Sequence, residues 1–146
     1  MSEKLYIEAQ DLLIDSFRLG LEIYQSNFRP DFIVGVWRGG TPVGIAVQEI
    51  LDLYGVQTDH IAIRTSSYTG IAQRAREVRV EGLGYLVDQA NRQDSLLIVD
   101  DVYESGSTIQ RVVELLRQMA RANAPRDIRV ATVHHKPARS RYDELP

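Results

Sequence analysis

The amino-acid sequence predicts an α/β protein with a central, mostly parallel sheet flanked by helices. Short apolar runs typical of buried strands alternate with longer segments in which apolar residues recur at helical spacing. The clearest run, 96–99, passes directly into two acids, a short loop of small residues and a helical segment. Strands that alternate with helices imply right-handed crossovers and a parallel sheet, and ligands bind such sheets where the strands end.

Each element follows from its own pattern. Apolar residues at helical spacing predict a first helix over 5–28, which Arg29-Pro30 ends. A second helix over 41–54 carries Pro42 in its first turn, where proline is well tolerated. The remaining predicted helices are 84–91 and 107–121. Apolar runs predict strands over 32–36, 59–64, 96–99 and 128–133, with a short further strand over 77–80.

The composition is that of an ordinary globular protein. The chain has 146 residues, 44% of them hydrophobic and 25% charged, and we expect one domain over 1–146 with its core at about 30–139. The absence of cysteine excludes disulfides and cysteine-ligated metal sites. A net charge of −3 and the lack of a signal peptide or long apolar run argue against nucleic-acid and membrane partners and favour the cytoplasm.

A phosphate site is predicted where the strand at 96–99 ends. Asp100 and Asp101 follow the strand, Glu104 comes three residues later, and a small-residue loop then leads into a helix: Ser105, Gly106, Ser107 and Thr108. Small residues let a ligand oxygen approach backbone N–H groups, and the helix N-terminus adds donors and positive potential. Two carboxylates beside a phosphate are best explained by ligand hydroxyls or a hard cation such as Mg²⁺. A sugar phosphate supplies all of these.

A second anion site is predicted at Arg38-Gly39-Gly40, which also follows a strand and precedes a helix. The two glycines allow close approach of a ligand to the backbone, and arginine presents a charged fork suited to phosphate oxygens. The alternative interpretation is a plain turn with an exposed arginine.

The segment 96–108 resembles the signature of type I phosphoribosyltransferases, enzymes that use phosphoribosyl pyrophosphate (PRPP). That signature is an apolar strand, two acids, two variable residues, an acid or small residue, and a Thr/Ser-Gly-x-Thr loop. Four motifs in order extend the resemblance over about 32–139, closest to the hypoxanthine and xanthine-guanine enzymes. It implies a Rossmann-like fold and transfer of the 5-phosphoribosyl group from PRPP to a 6-oxopurine base (hypoxanthine, guanine or xanthine) in purine salvage, giving a nucleotide product and pyrophosphate.

The resemblance also implies a role for each motif residue. The loop 105–108 would bind the 5′-phosphate of PRPP, and Glu104 would accept the purine ring proton. Asp100 and Asp101 would orient the ribose hydroxyls, directly or through Mg²⁺. Pyrophosphate would bind to Arg38, Gly39 and Gly40. Because the peptide bond before the basic residue is often cis in the family, we expect a cis bond between Trp37 and Arg38.

Two further motifs resemble substrate contacts of the same enzymes. Ser67 and Tyr68 resemble the mobile loop that closes over PRPP and excludes water, so we expect about 65–80 to be poorly ordered without ligand. Lys136 follows the last strand and resembles the lysine that meets the exocyclic oxygen of a 6-oxopurine. An ammonium donor there selects an oxo group against the amino group of adenine. Taken alone, the first motif is equally a solvated loop and the second a surface lysine.

The sequence departs from the family at two places. Glu104 stands where the closest relatives usually have aspartate, so the carboxylate is one methylene further out. In the relatives the chain continues past this point and supplies an aromatic residue that stacks on the purine, whereas Tyr142 is the only aromatic residue after Lys136 here. We therefore expect a short or incomplete hood. Either the sequence is truncated, or Tyr142 or a partner subunit completes the site, or base recognition is weak.

Two other functions stay open. One is a regulatory protein that binds PRPP or a nucleotide with the same fold and little turnover, which Glu104 favours and the intact pyrophosphate loop and Lys136 oppose. The other is a phosphoribosyltransferase for another base. Because relatives are commonly dimers or tetramers, we expect a homo-oligomer.

Overall fold

A single sheet organises the residues that the computed structural model describes, 9–68, 77–103 and 107–135. In these ranges five strands lie in the order β3-β2-β1-β4-β5. The strands are β1 Phe32–Trp37, β2 Asp59–Tyr68, β3 Glu77–Glu81, β4 Ser95–Tyr103 and β5 Asp127–His135. Neighbouring strands are parallel except β3, which pairs antiparallel with β2 at the edge. The predicted α/β fold with a mostly parallel sheet is confirmed.

Helices cover both faces of the sheet, as the predicted pattern requires. They are α1 Ala9–Gln25, α2 Gly40–Leu53, α3 Gly84–Gln89 and α4 Ser107–Ala120, with a 3₁₀ turn at Arg121–Asn123. Ile33 of β1 packs in a core with α1 and α2, whereas Phe32, Val34 and Val36 pack in a second core with α3 and α4. Both faces of β1 are thus buried, which is why its apolar run does not alternate with polar residues. Within the described ranges, none of the helices is long and apolar enough to cross a membrane.

The register of the parallel strands brings three strand ends to one edge of the sheet. Gly35 of β1 lies opposite both Ala62 of β2 and Val99 of β4. The residues that follow Gly35 and Val99 therefore emerge side by side, although they are far apart in sequence. This edge carries both predicted anion loops.

Three strands run at least two residues past their predicted ends. β2 runs on to Tyr68, β4 to Tyr103 and β5 to His135, through polar residues that the apolar runs do not include. Backbone pairing explains the extension: β2 pairs with β3, where Thr65 lies opposite Val80 in an antiparallel ladder, and β4 pairs with β5. The ladder between β2 and β3 also confirms the short strand predicted over 77–80. Residues 65–68 and 77–80, at the two ends of the predicted mobile loop, are paired strands, and the mobility of the loop stays a prediction. The rest of that loop, 69–76, lies outside the described residues.

Candidate active site

The connection from β1 to α2 is short and ends in the helix itself. Only Arg38 and Gly39 separate the two elements, and the peptide bond between Trp37 and Arg38 is cis, as expected. The Thr41 N–H donates back to the carbonyl oxygen of Arg38 at 3.2 Å. Gly39 is the N-cap of α2, with φ −65° and ψ −33°, and its position supplies no side-chain cap. The first turn of α2 contains no acidic residue, so its N–H groups and the helix dipole favour an anion.

The two glycines of this loop are required by the close approach of β4. A methyl group on Gly39 would overlap the carboxylate of Asp101. A methyl group on Gly40 would overlap the carbonyl oxygen of Val99 and lie 2.9 Å from the Cα of Asp100. The pyrophosphate loop and the acid pair, predicted separately from the sequence, are therefore in direct contact.

The acid pair holds a proton more tightly than isolated carboxyls do. Burial, followed by a hydrogen bond to the Asp101 side chain and the negative charge of Asp101, raises the pKa of Asp100 to about 7. The backbone N–H of Asp101 donates to an Asp100 carboxyl oxygen at 2.8 Å and acts in the opposite direction. Near neutral pH the pair therefore carries less than its full double charge, which reduces its repulsion of a nearby phosphate.

The 5′-phosphate loop is described only at its helical end. Ser107 begins α4 and Thr108 follows in the first turn, both partly buried, and this turn contains no acidic residue. Their backbone is placed where a helix N-terminus can bind an anion. The other members of the predicted site here, Glu104, Ser105 and Gly106, lie outside the described residues.

The remaining predicted site residues are Ser67, Tyr68 and Lys136. Ser67 and Tyr68 end β2, and their backbone pairs with Val78 and Glu77 of β3. Lys136 lies outside the described residues. It directly follows β5, which is paired with β4 through the last residue of each strand. The chain therefore leaves β5 at the sheet edge where the acids lie.

Two polar residues beside the loop were not predicted as part of a site. Thr41 Oγ1 and His60 Nε2 are buried without a hydrogen-bond partner among the described residues. Both lie near Gly35, where an added methyl group would be 3.3 Å from the Cα of Thr41 and 2.9 Å from His60 Nε2. The only sequence signal was the pair of glycines, Gly35 and Gly44, that leave room for the imidazole.

The acid pair fits a magnesium ion that arrives with its substrate. Across the ranges that the structure describes, no three His, Cys, Asp or Glu side chains cluster as a metal site. Mg²⁺ in phosphate-handling sites is commonly bound by one or two carboxylates together with phosphate oxygens and water. Asp100 and Asp101, next to the anion loop, supply that number of carboxylates.

Comparison with known proteins agrees with the fold and the motifs. The phosphoribosyl transferase domain model matches residues 6–144. A hypoxanthine-guanine phosphoribosyltransferase from Lactococcus lactis is 28% identical over 137 residues, covering 92% of this chain and 68% of that protein. A hypothetical protein from Neisseria gonorrhoeae with bound ppGpp has a similar structure, with TM-score 0.76 and 19% identity, covering 92% of this chain and 73% of the other. A purine phosphoribosyltransferase from Pyrococcus horikoshii has TM-score 0.74 and 21% identity, with coverages of 96% and 83%. Because the family match spans nearly the whole chain and the fold agrees with it, this chain belongs to the phosphoribosyl transferase domain family.

Proposed function

We propose that this enzyme transfers the 5-phosphoribosyl group of PRPP to a 6-oxopurine (hypoxanthine, guanine or xanthine), releasing pyrophosphate. The observation that carries the proposal is the contact between Gly39 and the carboxylate of Asp101. It joins an anion-binding helix start to a pair of acids at one point of the sheet edge. PRPP has a polyphosphate and ribose hydroxyls within the same small molecule, which is the combination that this contact suits.

Each part of the site binds a different part of PRPP. Arg38 and the backbone N–H groups of Gly39 and Gly40 hold the pyrophosphate group, with the N-terminus of α2 behind them. The loop 105–108 and the N-terminus of α4 hold the 5′-phosphate. The acid pair, which contacts the first anion site and precedes the second in sequence, accepts hydrogen bonds from the ribose hydroxyls. The ribose is thereby held with its anomeric carbon open to the base.

The reaction is a displacement at the anomeric carbon. A ring nitrogen of the purine forms the new bond to this carbon while the bond from carbon to pyrophosphate oxygen breaks, and the bonding pair leaves with pyrophosphate. The ring proton goes to the Glu104 carboxylate, the candidate general base. Positive charge on the ribose in the transition state is stabilised by the adjacent carboxylates, Asp100 and Asp101. Mg²⁺, when bound with PRPP, neutralises charge on the departing pyrophosphate.

Base selection is assigned to Lys136. Its ammonium group has three N–H donors and no acceptor, so it pairs with the oxo group of hypoxanthine, guanine or xanthine. The amino group of adenine offers a donor at this place and would leave the charge unpaired. Attachment of Lys136 directly after β5, at the edge that bears the acids, supports this assignment.

The decisive experiment tests turnover and the proposed base together. Nucleotide formation is measured with PRPP and Mg²⁺, with hypoxanthine, guanine, xanthine and adenine offered separately. Glu104→Gln should lower kcat about 100-fold or more while the Kd for PRPP changes little, because the amide cannot accept the proton. Glu114→Gln is the matched control, since this exposed residue of α4 pairs with Arg111 on the helix surface, at 3.6 Å.

The results separate this proposal from the regulatory alternative. Product from an oxopurine but not from adenine supports the proposal, whereas equal losses of turnover and PRPP binding in Glu104→Gln contradict the role of Glu104 as base. Saturable nucleotide or PRPP binding without product from any base would instead favour a regulatory protein. That second candidate is kept because the similarly folded protein from Neisseria gonorrhoeae carries ppGpp.

A further inference from the structure

We propose that His60 is a positioning residue for the pyrophosphate loop: its imidazole fills the gap between β1 and α2 and sets where Arg38, Gly39 and Gly40 lie. The role deepens the proposed function and rests on it. His60 acts through β1 and α2, the two elements that lead into and out of the loop.

The imidazole is in contact with β1 and α2, the elements on either side of the loop. His60 lies on β2, opposite Ile33 of β1. A methyl group on Gly35 of β1 would be 2.9 Å from its Nε2, and one on Gly44 of α2 would be 2.7 Å from the same atom. These separations are shorter than ordinary carbon contacts, so both glycines are needed for the ring to fit. The ring therefore fixes the distance between β1 and α2 on either side of the two-residue connection.

The buried polar atoms beside the loop support a specific role for the ring. An unpartnered buried group costs about 1–3 kcal/mol, so a plain filler at this place would be apolar. Instead, His60 Nε2 and Thr41 Oγ1 are both buried without partners among the described residues, and both residues approach Gly35. Thr41 immediately follows the loop, in the first turn of α2. A hydrogen bond in which the Thr41 hydroxyl donates to His60 Nε2 would give both atoms a partner.

The ring is neutral at physiological pH, which this arrangement requires. Burial lowers the pKa of His60, and the nearby charge of Asp59 only partly opposes the change. A neutral imidazole has an acceptor nitrogen for the Thr41 hydroxyl. It also places no positive charge beside the N-terminal end of α2, whose dipole is already positive.

Binding measurements on two probes test this role without turnover. Magnesium pyrophosphate probes the loop that His60 positions, and ribose 5-phosphate probes the separate phosphate loop before α4. In His60→Ala the Kd for magnesium pyrophosphate, measured by calorimetry, should rise about tenfold, while that for ribose 5-phosphate changes less than about twofold. His60→Gln, which keeps a polar group near the Nε2 position, should restore most of the affinity. Equal weakening of both probes would mean a merely structural role and would overturn the proposal.

A second variant, in α2, tests the same contact with the His60 ring. Gly44→Ala pushes a methyl group against His60 and should give the same selective loss. In the double variant with His60→Ala the methyl group has room, so the two losses should be less than additive. Gly84→Ala is the control, because a methyl group there meets no atom within 4 Å.

Intrinsic fluorescence separates failure of this inference from failure of the proposed function. Trp37 is the only tryptophan of the chain, directly precedes the loop and is 50% exposed. In ligand-free protein, His60→Ala should shift the emission maximum of Trp37 and change the quenching of Trp37 by acrylamide. Gly84→Ala should change neither. Unchanged Trp37 emission in His60→Ala would count against the positioning role even if binding changed. Wild-type protein that binds neither probe would count against the proposed function alone.

Discussion

Side-chain size is tightly restricted at Gly39, where a single methyl group decides whether the loop can lie against the acid pair. The methyl group of alanine would occupy the place of the Asp101 carboxylate. We expect Gly39→Ala to raise the Kd for magnesium PRPP at least about tenfold, because either the loop or the carboxylate must move. Titration calorimetry measures this, with Gly84→Ala as the matched glycine-to-alanine control. Wild-type affinity in Gly39→Ala would show that the contact is dispensable.

Asp100 links the site to the pH dependence of stability. Its pKa is 3.8 in the reference state and about 7 in the folded protein, so between these values the folded protein holds a proton that the unfolded chain has lost. Stability from this group is fully present below the unfolded pKa and is lost as pH rises through the folded pKa. Asparagine does not ionise and avoids this loss. In metal-free buffer, Asp100→Asn should therefore gain melting temperature relative to wild type at pH 8 and gain much less at pH 5.

Thermal unfolding at the two pH values, with a chelator present, measures this difference. Asp94→Asn is a useful control, since Asp94 lies outside the site and accepts a hydrogen bond from the Asn91 N–H at 2.7 Å. An equal gain for Asp100→Asn at both pH values would mean that the effect is not ionisation of Asp100.

Motif residues were predictable one by one, but their contacts were not. Arg38, the glycines after it and the acids of β4 follow from local sequence, because each motif is a short run next to an apolar strand. Their contact depends on the register of β1 against β4, which brings Gly35 opposite Val99. His60 gave no local signal, since the room for its ring comes from glycines on two other elements.

Among the elements, β4, like β1, contributes buried side chains to both cores. It lies between β1 and β5, and its residues Leu96 to Val99 are fully buried, alternating between the two faces. Leu97→Ala should cost about 2–5 kcal/mol in the free energy of unfolding, because it removes buried methyl groups and leaves a cavity. Urea denaturation measures the loss. Leu53→Ala is the matched control, since that side chain is 75% exposed and the same change there should cost less than about 0.5 kcal/mol.

A loss in the free energy of unfolding for Leu97→Ala no larger than that for Leu53→Ala would contradict the role of β4 in the core. The apolar strands were predicted from sequence because burial on both faces gives a continuous apolar run. The polar ends of β2 and β4 were not, since their strand character comes from pairing with β3 and β5 and leaves no trace in hydrophobic periodicity.

For the molecule as a whole, alternation of strands and helices was enough to predict the layered α/β architecture. The antiparallel edge strand β3 was predicted as an element, but its orientation was not. Orientation depends on the return of the chain between β2 and β3, whose residues 69–76 give no turn pattern that fixes it. Local patterns thus determine the layers, and long-range pairing determines the site.

The contact between Gly39 and Asp101 also has a consequence for folding during translation. The pyrophosphate loop lies in the first third of the chain, and the acids lie beyond its middle. When β1 and α2 have left the ribosome but β4 has not, the nascent chain has the N-terminus of α2 and an unpaired edge of β1. It still lacks the carboxylates that complete the site. Because non-local strand pairing forms late, the proposed PRPP site is complete only after most of the chain has been translated. We therefore expect PRPP to stabilise the finished fold and not the early steps of folding.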